Sequence, residues 1–337
     1  MPESSSGRPR RVVPNAGDRV WTQVSVDASC SVRSWPHVEC YQNTTLRYTP
    51  GPDFPPAMEA YLGKPQIIRL FVTLDEVWDY RTDTYDWNYL IGVNKFEGDS
   101  EHYHFHYDWP LTVPSPLGVH EEDYLRSHAE CAESVMLNIR RYEREVAVEH
   151  VISYEKYEEV VERVIEHYKE LCPNIRYIEL MNEVDIPNFG ELTVDEFYPL
   201  FQCGYRAIRR LNERHDYAIP LLTGTMGLTA GVKNWGFWSD FLKRLAADED
   251  RTIDFYSMHE YHTNPCRILE FYVRHEALVH ELGLPDLPLM MTEYGLRVGE
   301  GDAGRPHNLQ NACGEIQGMI LGSYCENLRM FPWCTFH

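Results

Sequence analysis

The sequence predicts an α/β protein folded as a (β/α)8 barrel, and three features favour this fold class. The chain has 337 residues, which is long enough for one barrel. Eight short apolar runs, typical of parallel strands buried on both faces, alternate with segments of helical periodicity. An open doubly wound sheet would show the same alternation, but no run is followed by a glycine-rich nucleotide-binding motif.

The eight apolar runs are the predicted barrel strands. They span residues 20–26, 66–73, 134–141, 175–183, 219–223, 253–259, 287–293 and 328–335. Between them, residues 154–171 carry apolar side chains at i, i+3 and i+4 spacing, which predicts an amphipathic helix. Thr193-Val-Asp-Glu196 has the pattern of a capping box and opens another. The remaining predicted helices span 121–131, 237–247, 266–282 and 308–327.

Three parts of the chain depart from this regular alternation. Residues 1–15 are polar, and we expect a disordered tail before a barrel that spans 16–337. Residues 75–120 form a long insert after the second strand, rich in Tyr, Trp and His. A loop of that length is expected on the functional rim of the barrel. No eighth helix can be recognised after the last predicted strand.

Charge and cysteine content exclude several classes of partner. The formal net charge of −21 repels nucleic acids and anionic membranes. No apolar run reaches 18 residues, so no membrane span is predicted. The 9 Cys lack regular spacing and are expected to be free thiols. With no signal-peptide pattern in this sequence, we expect a cytoplasmic protein, or a secreted one if a leader precedes it.

Two of the predicted strands end in a glutamate. Glu183 closes the fourth strand and Glu293 closes the seventh. Active sites of such barrels lie at the C-terminal ends of the strands, and strands four and seven face each other, so both carboxylates should reach one cavity. A carboxylate pair can cleave a glycosidic bond, one as acid and the other as nucleophile or base. Either glutamate alone could equally be a salt-bridge partner on the rim.

The segments around both glutamates resemble motifs of clan A glycoside hydrolases. Met181-Asn-Glu-Val-Asp185 is similar to the Asn-Glu-Pro motif that ends the fourth strand in that clan. Thr292-Glu-Tyr-Gly295 is similar to the Thr-Glu-Phe/Tyr motif of the seventh. The nearest subgroup is family 39, which includes β-xylosidases and α-L-iduronidases. Val184 departs from the pattern, because the clan usually has proline at this position.

The resemblance extends to three further strands and covers about Val20 to His337. It implies a retaining double displacement without a metal or other cofactor, acting on a carbohydrate, with Glu183 as acid/base and Glu293 as nucleophile. It also implies that Asn182 hydrogen-bonds the sugar 2-hydroxyl and that Tyr261 hydrogen-bonds Glu293. The substrate-binding residues it implies are Asn182, Arg69 on strand two, His259 and Tyr261 on strand six, and Trp333 on strand eight.

The residue types themselves add two expectations. Strict strand alternation would place Asn182 and Glu183 on opposite faces, so the strand must end or bulge there. Arg69 lies inside an apolar strand and is costly to bury unpaired, so Glu293 or Glu179 is expected to be its partner.

Two other functions remain open from the sequence. His102, His104 and His106 alternate within the insert and could bind a metal, as in a metal-dependent barrel hydrolase, although a β-hairpin over the active-site rim is the favoured explanation. A barrel that binds carbohydrate without cleaving it is the other alternative. Trp78, Trp87 and Trp109 of the insert are either sugar platforms or part of the insert's own core. The sequence does not indicate the sugar, the linkage or the oligomeric state.

Overall fold

The computed structural model describes residues 40–43, 60, 63–90, 120–228, 234–262, 264–296 and 309–333. All of them lie in the compact unit Pro36–His337. Eight barrel strands are present among the described residues. They are β1 (Tyr41–Asn43), β2 (Ile67–Thr73), β3 (Ser134–Arg140), β4 (Ile175–Leu180), β5 (Leu222–Thr223), β6 (Tyr256–His262), β7 (Leu289–Leu296) and β8 (Leu328–Pro332).

The strands alternate with helices, as a (β/α)8 barrel requires. The long helices are α1 (Glu121–Cys131), α2 (Tyr154–Leu171), α3 (Val194–Arg214), α4 (Trp235–Ala247), α5 (Arg267–Glu281) and α6 (Leu309–Gly322). Short helical turns occur at Leu74–Val77, Glu143–Ala147 and Pro187–Phe189. The first of these leads into a small antiparallel hairpin of Trp78–Asp79 and Thr84–Tyr85. Within the described residues, no helix is long and apolar enough to cross a membrane.

Every pairing between neighbouring barrel strands is parallel. Strands β1 to β5 form one sheet in chain order, and β6 to β8 form a second. Two isolated parallel bridges, Gly224 to Phe255 and Leu228 to Met258, join the sheets on one side. On the other side, the rings of Tyr41 and Phe331 lie 5.3 Å apart, which brings β1 against β8. The eight strands therefore surround one interior.

Apolar burial holds the helices on the outside of the strands. All seven residues of β2 are buried. Helix α2 buries the predicted stripe, including Val160, Val161 and Val164. Each such side chain contributes about 1.5–3 kcal/mol relative to an exposed one. The capping box at Thr193 and Glu196 is confirmed, because the hydroxyl and carboxylate each accept the other's backbone N–H.

Seven of the eight predicted strands match observed strands, with ends that differ by a few residues. The predicted strand at 20–26 lies outside the described residues. The strand that pairs with β2 is instead Tyr41–Asn43, which has only three residues and no apolar run. Of the insert predicted at 75–120, the structure describes 75–90 and residue 120, which are linked by a bridge between Leu90 and His120.

Candidate active site

The end of β4 directs two successive side chains, those of Asn182 and Glu183, into the barrel interior. The strand stops at Leu180, and Met181 and Glu183 both adopt positive φ, at 69° and 49°. Left-handed backbone costs about 1–2 kcal/mol for a residue other than glycine and persists where the surrounding structure holds it. Backbone hydrogen bonds hold the turn, from Met181 N to Ile139 O at 2.8 Å and from Glu183 N to Gly227 O at 2.6 Å. The expectation that the strand ends or bulges here is confirmed.

A bulge near the end of β7 likewise turns two successive side chains, Thr292 and Glu293, towards the barrel interior. Met291 pairs with Met258 and Glu293 pairs with His259, so Thr292 is an extra residue between the two pairs. The Thr292 hydroxyl donates to Glu179 at 2.5 Å, and Glu293 accepts from Arg69 at 2.8 Å. Both side chains of this strand end therefore reach the interior.

The guanidinium of Arg69 lies at the centre of the candidate site and is fully buried. Its Nε donates to Glu179 Oε2 at 2.8 Å, and its Nη1 donates to Glu293 Oε1 at 2.8 Å. Its Nη2 donates to Asn182 Oδ1 at 2.9 Å. Burial alone would lower the pKa of Arg69, but the two carboxylates outweigh burial and raise it. Sequence reasoning left Glu179 and Glu293 as alternatives, and the structure shows that Arg69 pairs with both.

Glu179 is a second buried carboxylate beside the catalytic pair proposed from the sequence. Its side chain is 0% exposed, and it accepts from Asn138 Nδ2 at 2.7 Å as well as from Arg69 and Thr292. Burial works to raise the pKa of Glu179, but the charge of Arg69 and the hydrogen bonds hold it below its usual range. The contacts made by Asn138 and Thr292 were missed from the sequence. The available signal was an acid inside an apolar strand, which needs partners when buried.

His259 connects the two proposed catalytic carboxylates. Its Nδ1 lies 2.8 Å from Glu183 Oε1 and 3.5 Å from Glu293 Oε2. Its Nε2 lies 3.4 Å from Arg69 Nη2, which can only donate, so we assign the ring proton to Nδ1. Burial, reinforced by the charge of Arg69 and opposed by Glu293, lowers the pKa of His259. A neutral imidazole therefore donates to Glu183.

The remaining residues predicted for the site lie on β6 and β8. The hydroxyl of Tyr261 donates to Glu293 Oε2 at 2.7 Å, so both Glu293 oxygens accept a hydrogen bond. Trp333 is half-buried at the end of β8, with its ring edge-on to Phe71 at 6.0 Å. The guanidinium groups of Arg69 and Arg140 also pack on the Phe71 ring, at 4.6 and 4.3 Å from its centroid. Trp333 and Phe71 thus form an aromatic pair next to Arg69.

One set of possible metal ligands occurs among the described residues. Single ligand atoms of Glu183, His259 and Glu293 lie within 4.8 Å of one another. A metal would need a lone pair on His259 Nδ1, which would move the proton to Nε2 and point it at a donor of Arg69. These atoms therefore suit a hydrogen-bonded set better than a metal site. The insert histidines at 102, 104 and 106 lie outside the described residues.

The described tryptophans of the insert pack against the barrel. Trp78 is buried, edge-on to Tyr142 at 5.5 Å, and its Nε1 donates to Asp83 at 2.9 Å. Trp87 stacks on Tyr85 at 4.7 Å and on His167 of α2 at 4.2 Å. Both side chains serve the insert's own packing, and Trp109 lies outside the described residues.

Solved structures share this fold, although no protein-family model and no curated protein matches the chain. The GH39 enzyme from Xanthomonas axonopodis pv. citri has a TM-score of 0.54 at 16% identity, over 89% of this chain and 60% of that chain. Endoglucanase Cel5A from Thermotoga maritima has a TM-score of 0.51 at 13% identity, over 84% and 82%. A glucosidase from Croceicoccus marinus has a TM-score of 0.51 at 16% identity, over 80% and 53%.

These likenesses concern the fold. The chain adopts the barrel seen in these glycosidases, with a carboxylate pair at the C-terminal ends of its strands. It spans 53% of the glucosidase and 60% of the GH39 enzyme. At identities this low, the activity must be argued from the site itself.

Proposed function

We propose that the chain is a retaining glycoside hydrolase that cleaves O-glycosidic bonds by double displacement. The observation that carries the proposal is the spacing of the two carboxylates. One oxygen of Glu183 and one of Glu293 lie within 4.8 Å of each other. Retaining enzymes place their carboxyl groups about 5–5.5 Å apart, whereas inverting enzymes need about 6.5–9.5 Å to admit a water molecule.

The surroundings of the two glutamates support different roles. Glu293 accepts from Arg69 and Tyr261, and this pair of donors stabilises a carboxylate anion that can attack the anomeric carbon. Glu183 is 12% exposed, against 6% for Glu293, and accepts from a neutral His259. It is the group with better access to the leaving oxygen and to water. In this assignment Glu183 is the acid/base and Glu293 is the nucleophile.

The proposed reaction then follows from these positions. Glu293 forms a bond to the anomeric carbon while Glu183 gives its proton to the departing oxygen. Glu183 next takes a proton from water, which attacks the same carbon and releases Glu293. Asn182, anchored by Arg69, would donate to the 2-hydroxyl through its amide nitrogen, and Trp333 would pack on a sugar face. We propose a carbohydrate substrate, and this scheme uses no cofactor.

A panel of aryl glycosides tests the proposal. We expect wild-type protein to cleave at least one member, and Glu183→Gln and Glu293→Gln each to lose at least 100-fold in kcat/KM on that member. Glu170→Gln, an exposed acid on α2, is the matched control and should keep wild-type activity. Sugar affinity without turnover on any glycoside would favour a binding barrel instead. Activity abolished by a chelator would favour the metal-dependent alternative.

A further inference from the structure

We propose that Glu179 is a positioning residue that balances the charge of Arg69 and so sets the pH range over which Glu293 and Glu183 work. The role of Glu179 in catalysis rests on the proposed function, whereas its electrostatic effect on Glu293 and Glu183 does not depend on that function. The residue lies on β4, four positions before Glu183, and is fully buried.

The contacts of Glu179 fix it as an anion. Arg69 donates to Oε2 through Nε at 2.8 Å, and Nη2 approaches the same oxygen to 2.6 Å. Asn138 Nδ2 donates to Oε2 at 2.7 Å, and the Thr292 hydroxyl donates to Oε1 at 2.5 Å. Arg69 and Asn138 Nδ2 can only donate, so neither of them would accept a proton placed on Oε2. A fully buried acid with such partners stays ionised.

Charge balance explains why a second anion matters. Arg69 is the cation that bonds Glu293, and it bonds Glu179 as well. With both glutamates ionised, the three groups carry a net charge of −1. Ionising Glu183 as well would add another negative charge within 4.8 Å of a Glu293 oxygen. That repulsion favours a protonated Glu183, which is the form that a general acid needs.

Among the described residues, the carboxylates that bond Arg69 are those of Glu179 and Glu293, so no other described group balances its charge in the way that Glu179 does. His259 is neutral, and Tyr261 donates a hydrogen bond without a net charge. Asp185 contributes to the field at His259, and Arg140 shares the Phe71 ring with Arg69. The charged and titratable groups around the site include Arg69, Arg140, Glu179, Glu183, Asp185, His259, Tyr261 and Glu293. Glu179 gives Arg69 a second link to the strand that bears the nucleophile, through Thr292, beside the direct bond from Arg69 to Glu293.

Glu179→Gln removes the charge while keeping the size of the side chain. Arg69 would then act on Glu293 alone, and both Glu293 and Glu183 would lose a proton more readily. We expect the δ-carbon of each to titrate at lower pH in the variant than in wild type, by roughly one unit or more. The measurement is a pH titration of protein labelled with ¹³C at the Glu δ-carbon, with signals assigned from Glu293→Gln and Glu183→Gln. It needs no substrate.

Thr292→Val provides a second test of opposite sign. It removes the hydroxyl that donates to Glu179 but leaves the charge, so the field at Glu293 becomes more negative. Glu293 should then titrate at higher pH than in wild type, by a few tenths of a unit. If Glu179→Gln does not fold, this variant alone decides. Shifts in these opposite directions support the inference, and unchanged midpoints or shifts of the same sign in both variants overturn it.

The pH profile of kcat/KM provides the catalytic readout on a glycoside that wild type cleaves. Both the acidic and the basic limb of the profile should move to lower pH in Glu179→Gln. Glu179→Asp keeps the charge, so its limbs should lie at the wild-type pH values even if kcat falls. Limbs that stay in place while kcat falls would show a merely structural role. If no glycoside is cleaved by wild type, the proposed function fails, yet the titration still decides the electrostatic inference.

Discussion

His259 and Glu183 are joined by a hydrogen bond of 2.8 Å between Nδ1 and Oε1, although they lie on different strand ends. The ring is fully buried and its other nitrogen faces Arg69 at 3.4 Å. The orientation of one proposed catalytic carboxylate is therefore set by the cation that holds the other. Replacing His259 or Arg69 should therefore change the kinetics of the site in measurable ways.

Replacement of His259 should impair catalysis in proportion to the lost hydrogen bond. A hydrogen bond to a charged group contributes about 1.5–3 kcal/mol, so His259→Ala should lose roughly 10- to 100-fold in kcat/KM. His259→Asn can place an amide N–H near the position of Nδ1 and should recover part of that loss. Steady-state kinetics on one cleaved glycoside compares the variants. Equal activity of His259→Ala and wild type would contradict the assigned role.

A methyl group at Gly227 should disturb the same ring from the backbone side. A Cβ built at Gly227 would lie 2.5 Å from His259 Nε2, which is closer than a methyl carbon can approach a non-bonded nitrogen. Gly227→Ala should therefore displace the ring and lower kcat/KM about tenfold or more. Gly236→Ala is the control, because nothing lies within 4 Å of its Cβ. Loss of activity in both variants would point to a general effect of the substitution.

Loss of Arg69 should destabilise the protein as well as inactivate it. Arg69→Met leaves Glu179 and Glu293 buried without their cation, which typically costs about 3–5 kcal/mol. Urea unfolding should show this loss in the free energy of unfolding, and Arg69→Met combined with Glu179→Leu should recover part of it. Arg126→Met removes an exposed pair with Glu122 and should cost less than about 1 kcal/mol. Similar costs for the two arginine variants would refute the prediction.

Buried His275 should make the fold sensitive to mild acid. Burial lowers the pKa of His275 to about 3, whereas an unfolded chain has about 6.5. Between these values the unfolded state binds a proton that the folded state does not, so the free energy of unfolding falls as pH falls. The contribution is at most about 1.4 kcal/mol per pH unit.

His275→Phe removes this titrating group. The free energy of unfolding, measured in urea from pH 6 to pH 4, should then depend less steeply on pH by roughly that slope. His280→Gln, an exposed histidine on the same helix, should leave the slope unchanged. An unaltered slope in His275→Phe would contradict the prediction, whatever the loss of stability from the missing Trp238 hydrogen bond.

Much of the fold could be predicted, because parallel strands that are buried on both faces appear in the sequence as continuous apolar runs. Strand β1 could not be predicted in this way, because Tyr41-Gln-Asn43 has no apolar run and instead buries the side-chain amides of Gln42 and Asn43. Its position is decided by pairing with β2 and by Asn43, which donates to the Thr292 carbonyl at 2.7 Å. Contacts between residues this distant in the chain leave no local signal.

The candidate site was predictable for the residues whose chemistry stands out within their strands. Glu183, Glu293 and Arg69 are charges beside apolar runs, and the structure brings all three together. An irregularity at the end of β4 was expected, but its form, the positive φ of Met181, was not, and the bulge at Thr292 was not visible, because such backbone details depend on tertiary hydrogen bonds. Those two features decide which successive side chains at the ends of β4 and β7 face the barrel interior.

We propose that Glu293 is the nucleophile of a retaining mechanism. The most direct measurement uses an activated 2-deoxy-2-fluoro glycoside of the sugar that the wild-type protein cleaves, followed by mass spectrometry of proteolytic peptides. We predict one sugar bound covalently to the peptide that contains Glu293, and no label in Glu293→Gln. A label on another residue, or an unlabelled protein whose product has inverted anomeric configuration, would contradict it.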